Sequence, residues 1–180
     1  MSASAGKGGG AKKQDKPSKP SSLALKGFKW VAENYGEGVV QFEKAEMKHD
    51  VGIYGCMNSG FMVPKKVRSV AIDGCKKIQV EVNDVVSSLE MVNSSNVTVF
   101  VKGNVQSIAV DKCDNPKLVI FKSALQHEPK IITSMVSDMN IEVEGETEDA
   151  DWTEIAVPYQ FETMIDKQTR KAKTTPVMHA

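Results

Sequence analysis

Three residue types in this chain could do covalent or metal chemistry, and their spacing decides whether they can. Cys56, Cys75 and Cys113 fall on a common interval of 19 residues, with Ser94 in the remaining slot. A zinc site needs about four ligands, and no histidine shares that interval, so the thiols read as small core hydrophobes. Residues stacked on adjacent layers would be close enough for a Cys56–Cys75 disulfide under oxidation, which a reducing cytosol disfavours. His49, His127 and His179 lie in a turn, a loop and the terminal tail. No serine or cysteine sits in a nucleophile elbow beside them, so they read as surface residues rather than a catalytic dyad.

Asp73 and Asp111 share a second column, two repeats apart with Val92 between them. Two carboxylates about 9.6 Å apart, twice a strand spacing, approach the separation an inverting glycosidase uses. The column offers no third acid or base and no aromatic sugar platform. A carbohydrate-active enzyme is therefore the competing reading, and a non-catalytic binding protein the principal one.

These positions owe their order to a repeat. Val51, Val70, Leu89 and Ile108 recur every 19 residues, as do Ile53, Ile72, Met91 and Val110. Phe61, Val80, Val99 and Leu118 keep the same spacing, and so do Val63, Val82, Val101 and Ile120. Within each unit apolar residues alternate with polar ones, the mark of strands with one buried face. Turn-forming clusters such as Asp73-Gly74 and Asn93-Ser94-Ser95-Asn96 separate the strands. Nineteen residues cannot hold two helices, and a coil of short strands stacked on the next gives a parallel β-helix of about six coils.

Val40 and Phe42 belong to a preceding coil. Ile131, Val136, Met139, Ile141 and Val143 belong to a following one, displaced by about four residues by a loop around Gln126–Lys130. Lys26–Tyr35, with Trp30, and Trp152–Phe161 are candidate end caps whose apolar load must be buried. Met62, Phe100 and Val119 share an outward column with Phe121 just beyond, a stripe that needs cover from the chain's own C-terminal residues or a partner.

Composition narrows the partners. The chain has 23 basic and 23 acidic residues, which argues against nucleic acid and an anionic membrane. No apolar run is long enough to span a bilayer, and no secretory signal precedes the repeat. Unpaired thiols without a signal make the cytoplasm the expected compartment. Residues 1–22, rich in Gly, Ser, Ala, Pro and Lys, read as a disordered basic arm. Residues 23–162 read as the β-helix domain and 163–180 as C-terminal dimerisation strands. Residues 142–154 carry seven acids and no base.

Several stretches together are specific: Lys29-Trp30 with Glu33-Asn34, Ile53-Tyr54 with Cys56, and Val70-Ala71-Ile72-Asp73-Gly74-Cys75-Lys76-Lys77. So are Asn83-Asp84-Val85-Val86, Glu90-Met91-Val92-Asn93-Ser94, Met139-Asn140, and Val157-Pro158 followed by Gln160-Phe161. From about Lys29 to Ala180 the chain resembles the C-terminal domain of cyclase-associated proteins, in a short form like that of apicomplexan parasites. The resemblance implies an all-β, right-handed parallel β-helix that homodimerises by exchanging C-terminal strands, including Thr163, Met164, Ile165, Val177 and Met178. It also implies binding to monomeric, ADP-bound actin, cofilin-bound actin among its sources, with nucleotide exchange promoted or monomers sequestered. Asp73, Lys76, Lys77, Asp84, Thr174 and Thr175 are the actin-contacting candidates.

The family's N-terminal helical domain, proline-rich segments and WH2 motif are missing, so adenylate cyclase binding is not expected. The related tubulin cofactor C domain uses a Gln-x-Arg on a strand to stimulate GTP hydrolysis. Gln168-Thr169-Arg170 has that spelling but falls in the tail. No catalytic residue, metal or cofactor is expected.

Overall fold

The computed structural model describes residues 16–177. Alternation of buried and exposed residues drives the chain into short strands taken in pairs, one pair per coil. The first coil is β2 (Lys29–Glu33) and β3 (Val39–Gln41); the second is β4 (Asp50–Tyr54) and β5 (Gly60–Val63). Then come β6 (Ser69–Asp73) with β7 (Gln79–Val82), β8 (Leu89–Val92) with β9 (Thr98–Val101), and β10 (Ser107–Asp111) with β11 (Lys117–Ile120). A sixth coil holds β12 (Lys130–Ser134) and β13 (Asn140–Val143). First strands stack in parallel as one sheet and second strands as another, giving the expected parallel β-solenoid of about six coils.

The register is the one the repeat predicts. Val51 pairs with Val70, Val70 with Leu89, and Leu89 with Ile108. Trp30 and Ile131 extend that row at its two ends. On the opposite sheet Phe61, Val80, Val99 and Leu118 stack in the same way. Every side chain in these two rows of four is no more than 1 % exposed, within a single core cluster. The four-residue displacement before β12 comes from a helical turn, α1 (Lys122–Leu125), placed just ahead of the expected Gln126–Lys130 loop. Ala124 on that turn is fully buried, so the insertion is pinned rather than looped out.

The corners follow a rule the hydrophobic pattern does not carry. Between the two strands of each coil, two residues adopt positive φ. The first is Asn34, Gly55, Gly74, Asn93, Lys112 or Met135, and the second is Asn58, Lys77, Asn96, Asn115 or Asp138 in coils two to six. Glycine and asparagine accept this left-handed conformation readily; a lysine pays about 1 kcal/mol for it. Lys112, at φ 50°, is one such case. Lys112→Asn should therefore raise unfolding stability by about 0.5–1 kcal/mol, read as a higher urea midpoint at unchanged slope.

The ends are closed unequally. At the start, β1 (Ser22–Lys26) folds back antiparallel on β2 as a cap. At the far end, β14 (Thr153–Ala156) pairs antiparallel with β13 and closes the second sheet. Among the described residues the first sheet has no such closure: β12 is its terminal strand, with Ile132 52 % exposed and Met135 beyond it 76 % exposed. Among the described residues the last strands, β15 (Phe161–Ile165) and β16 (Ala172–Pro176), pair only with each other. The apolar load placed in the Trp152–Phe161 cap is not buried within one chain, since Ile155 and Tyr159 remain about half exposed.

Candidate interaction surface

Each coil has two edges, and the site candidates divide between them. The leading edge is the turn from first strand to second, where the strained corners align. There Met57, Lys76, Ser95, Asp114 and Ser137 follow one another as backbone bridges up the stack. Asp73 ends β6 just before this edge, and its carboxylate accepts an amide hydrogen bond from Asn93 one coil on, at 3.2 Å. Lys76 and Lys77 are exposed on the same turn. Lys77 stands in one column with Asn58, Asn96 and Asn115, and within it Asn115 Nδ2 donates to Asn96 Oδ1 at 2.8 Å. Three of the six actin-contacting candidates, Asp73, Lys76 and Lys77, thus meet on one rigid edge.

Asp84 does not join them. It lies on the trailing edge, where the chain leaves β7 for the next coil, and its Oδ1 accepts the backbone N–H of Asn104 at 2.8 Å. Gly103 next to it has no room for a side chain, since a β-carbon there would sit 2.4 Å from that oxygen and 2.8 Å from the Asn83 carbonyl carbon. Asp84 is therefore a structural clasp between coils. Thr174 and Thr175 lie on the exposed strand β16, opposite Thr163 and Glu162. The Thr163 and Thr174 hydroxyls are 3.0 Å apart. Met164 and Ile165 on β15 are 67 % and 76 % exposed, while Val177 returns a backbone hydrogen bond to Gln160. Met178 and His179 lie outside the described residues.

One sequence reading changes here and another is met in part. His49 is not a surface residue: it is buried, accepts the Glu46 N–H on Nδ1 at 3.0 Å, and stands edge-on to Trp30. Its single-residue context looked like a polar turn, and the Trp30 contact that buries it is visible only in three dimensions. The outward stripe is covered in part by the chain itself. Trp152 stacks edge-to-face on Phe121 at 5.4 Å and Val119 is buried. Met62 and Phe100 stay partly open over a shallow groove of about 200 Å³. Glu81 interrupts that column and pairs with Lys102 at 2.8 Å.

The thiol column lies where the repeat puts it. Cys56, Cys75 and Cys113 are all buried and unpaired. Contact with the Cys56 thiol, reinforced by burial, pushes Cys75 far up, and burial pushes Cys113 up, so both hold their protons. Ser94 keeps the column polar by accepting the Cys75 N–H at 3.1 Å and donating to the Val92 carbonyl at 2.7 Å. Asp73 and Asp111 flank Val92 in register as expected. Among the described residues no three of His, Cys, Asp or Glu converge on a metal-sized site, and no helix is long and apolar enough to cross a membrane.

One surface pair carries a pH signature. Arg68 clasps Asp50 from the next coil through Nε–H to Oδ1 at 2.7 Å and a second, bidentate contact, and the Ser69 hydroxyl adds a third hydrogen bond. The Arg68 hydrogen bonds, with help from Ser69, hold the Asp50 carboxyl down at about 2. A depressed carboxylate pKa stabilises the fold above its unfolded value near 4 and loses that contribution as pH falls toward 2. Arg68 is half exposed, so the discounted effect is on the order of 1 kcal/mol. Asp50→Asn should flatten the acid limb of a stability-versus-pH curve between about pH 4 and 2 and leave its neutral region less stable by a similar amount.

Residues 19–179 match the family model described as adenylate cyclase associated (CAP) C terminal. The chain belongs to the cyclase-associated protein C-terminal family. It is 35 % identical over 154 residues to the adenylyl cyclase-associated protein of Dictyostelium discoideum, 85 % of this chain and 33 % of that protein. It is 36 % identical over 163 residues to cyclase-associated protein 1 of Arabidopsis thaliana, 89 % of this chain and 33 % of that one. The crystal structure of cyclase-associated protein from Cryptosporidium parvum superposes with a TM-score of 0.79 at 26 % identity, covering 92 % of this chain and all of the other. This CAP-family chain thus spans about a third of the length of the curated relatives it matches. The matched region takes in the β1 cap, every coil and both C-terminal strands, so the leading edge and the exposed hairpin are parts of the family domain rather than additions to it.

Proposed function

We propose that this chain binds monomeric actin, preferring the ADP-bound form, and regulates actin turnover by promoting nucleotide exchange, sequestering monomers, or both. It acts as a cytoplasmic homodimer joined through its C-terminal hairpin, and does no bond chemistry of its own. Accelerated exchange needs only a surface that favours the actin conformation from which nucleotide leaves. The observation that carries this reading is the unbroken family match across the whole solenoid. The leading edge supports it, because six stacked coils hold Asp73, Lys76 and Lys77 in fixed relation, as a recognition surface requires.

The test is sedimentation with purified ADP-actin monomers. Co-migration at tens of micromolar or below is expected, and its absence would overturn the binding reading. Lys76→Glu with Lys77→Glu should weaken binding at least tenfold, about 1.4 kcal/mol, while leaving the urea midpoint near that of the unchanged chain. Unaltered affinity in that variant would move the contact off the leading edge. Two measurements separate the modes: faster release of a fluorescent nucleotide from actin marks exchange, and a lower yield of filaments from the same monomers marks sequestration.

A further inference from the structure

The thiol column contains one adjacent pair, and the actin reading gives it no role. Cys56 and Cys75 occupy equivalent places on neighbouring coils, between the paired residues Tyr54 and Asp73 and the bridged residues Met57 and Lys76. Parallel neighbours lie about 4.8 Å apart, inside the Cα separation a disulfide spans. The Cys75 thiol reaches back to the Ile53 carbonyl of the second coil at 3.5 Å, and the Cys56 thiol donates to the neighbouring Tyr54 carbonyl at 3.3 Å. Cys113 is excluded: Ser94 fills the intervening slot, which puts Cys113 about 9.6 Å from Cys75, beyond bridging distance.

Two local features favour reaction at this pair. Each cysteine follows a glycine with positive φ, Gly55 at 60° and Gly74 at 64°, whereas Ser94 and Cys113 follow Asn93 and Lys112. Glycine lets the corner adjust as the sulfurs close to bonding distance. The pair is also only one residue deep. Gly74 and Lys76 on either side of Cys75 are exposed, so a small opening of the leading-edge turn admits a small oxidant.

We propose that Cys56 and Cys75 form a reversible oxidation site, converted by a hydroperoxide into an intramolecular disulfide between the second and third coils. The Cys56 sulfur, as thiolate, attacks the terminal peroxide oxygen, breaking the O–O bond to give a sulfenic acid and, after protonation, water or an alcohol. The Cys75 sulfur then attacks the sulfenyl sulfur, its proton leaving with the expelled hydroxide as water. With hydrogen peroxide the two thiols together lose two hydrogens and two electrons, and the peroxide becomes two waters.

The experiment treats the folded, reduced 180-residue chain with millimolar hydrogen peroxide, quenches, denatures and counts free thiols. The count should fall from three to one. Peptide mapping should place the bond between Cys56 and Cys75 within one chain, and dithiothreitol should restore all three. Cys113→Ser should still form the bond. In the unmodified chain, phenylarsine oxide, which bridges paired thiols, should bind once per chain and protect the same two cysteines. Retention of all three thiols, a bond involving Cys113, or a bond between chains would each overturn the proposal, and none of these readings depends on where actin docks.

Discussion

The 180-residue chain should sediment at about twice 19.6 kDa, and a chain ending before Phe161 should sediment as a monomer. The reason lies in surface that one chain cannot cover. Strands β15 and β16 pair only with each other, and Phe161, Met164 and Ile165 on β15 are 62 %, 67 % and 76 % exposed. A lone two-stranded hairpin is marginal in water, and three large apolar side chains in one short strand are a liability unless covered. The first sheet meanwhile ends on β12 with an unpaired edge and an exposed Ile132. A second copy's hairpin would supply both missing neighbours, the backbone partners for β12 and the cover for its own apolar strand. Met164→Asp with Ile165→Asp should reproduce the truncation while leaving the solenoid's unfolding transition intact. A truncated chain that still sediments as a dimer would rule this arrangement out.

Leu89→Ala should cost about 2–5 kcal/mol, lowering the thermal midpoint by about 5–15 °C. Leu89 has no exposed surface and sits at the middle of the row from Val51 to Ile108, with Val70 on one side and Ile108 on the other. Coils in a solenoid support only their neighbours, so a cavity there cannot be filled by collapse from a distance. Glu90, the next residue, points outward and is exposed. Glu90→Ala should change stability by less than about 0.5 kcal/mol. Comparable losses at both positions would contradict the alternation on which the architecture rests.

These two results test different kinds of knowledge. The Leu89 row could be read directly from residue spacing, because a constant interval places like residues over one another and burial then selects the apolar ones. The same holds for the thiol column and for Asp73 and Asp111 around Val92. Corner conformations were only half legible: Gly55, Gly74, Asn93 and Asn96 announce positive φ by their residue type, while Lys77, Lys112 and Met135 adopt it against their residue type, continuing the corner of the coil before them.

What spacing alone determined is therefore the solenoid, its register and its approximate coil number, all consequences of a short-range pattern repeated until it forms a continuous core. The folded structure decided what the repeat does not contain. It set Asp84 on the opposite edge from Lys76 and Lys77 despite their nearness in sequence, since a coil turns fully around within 19 residues. It buried His49 against Trp30, packed Trp152 on Phe121, and left one sheet open beside an uncovered hairpin. Each of these depends on a contact made once, between segments far apart in the chain, and a contact made once has no period to reveal it.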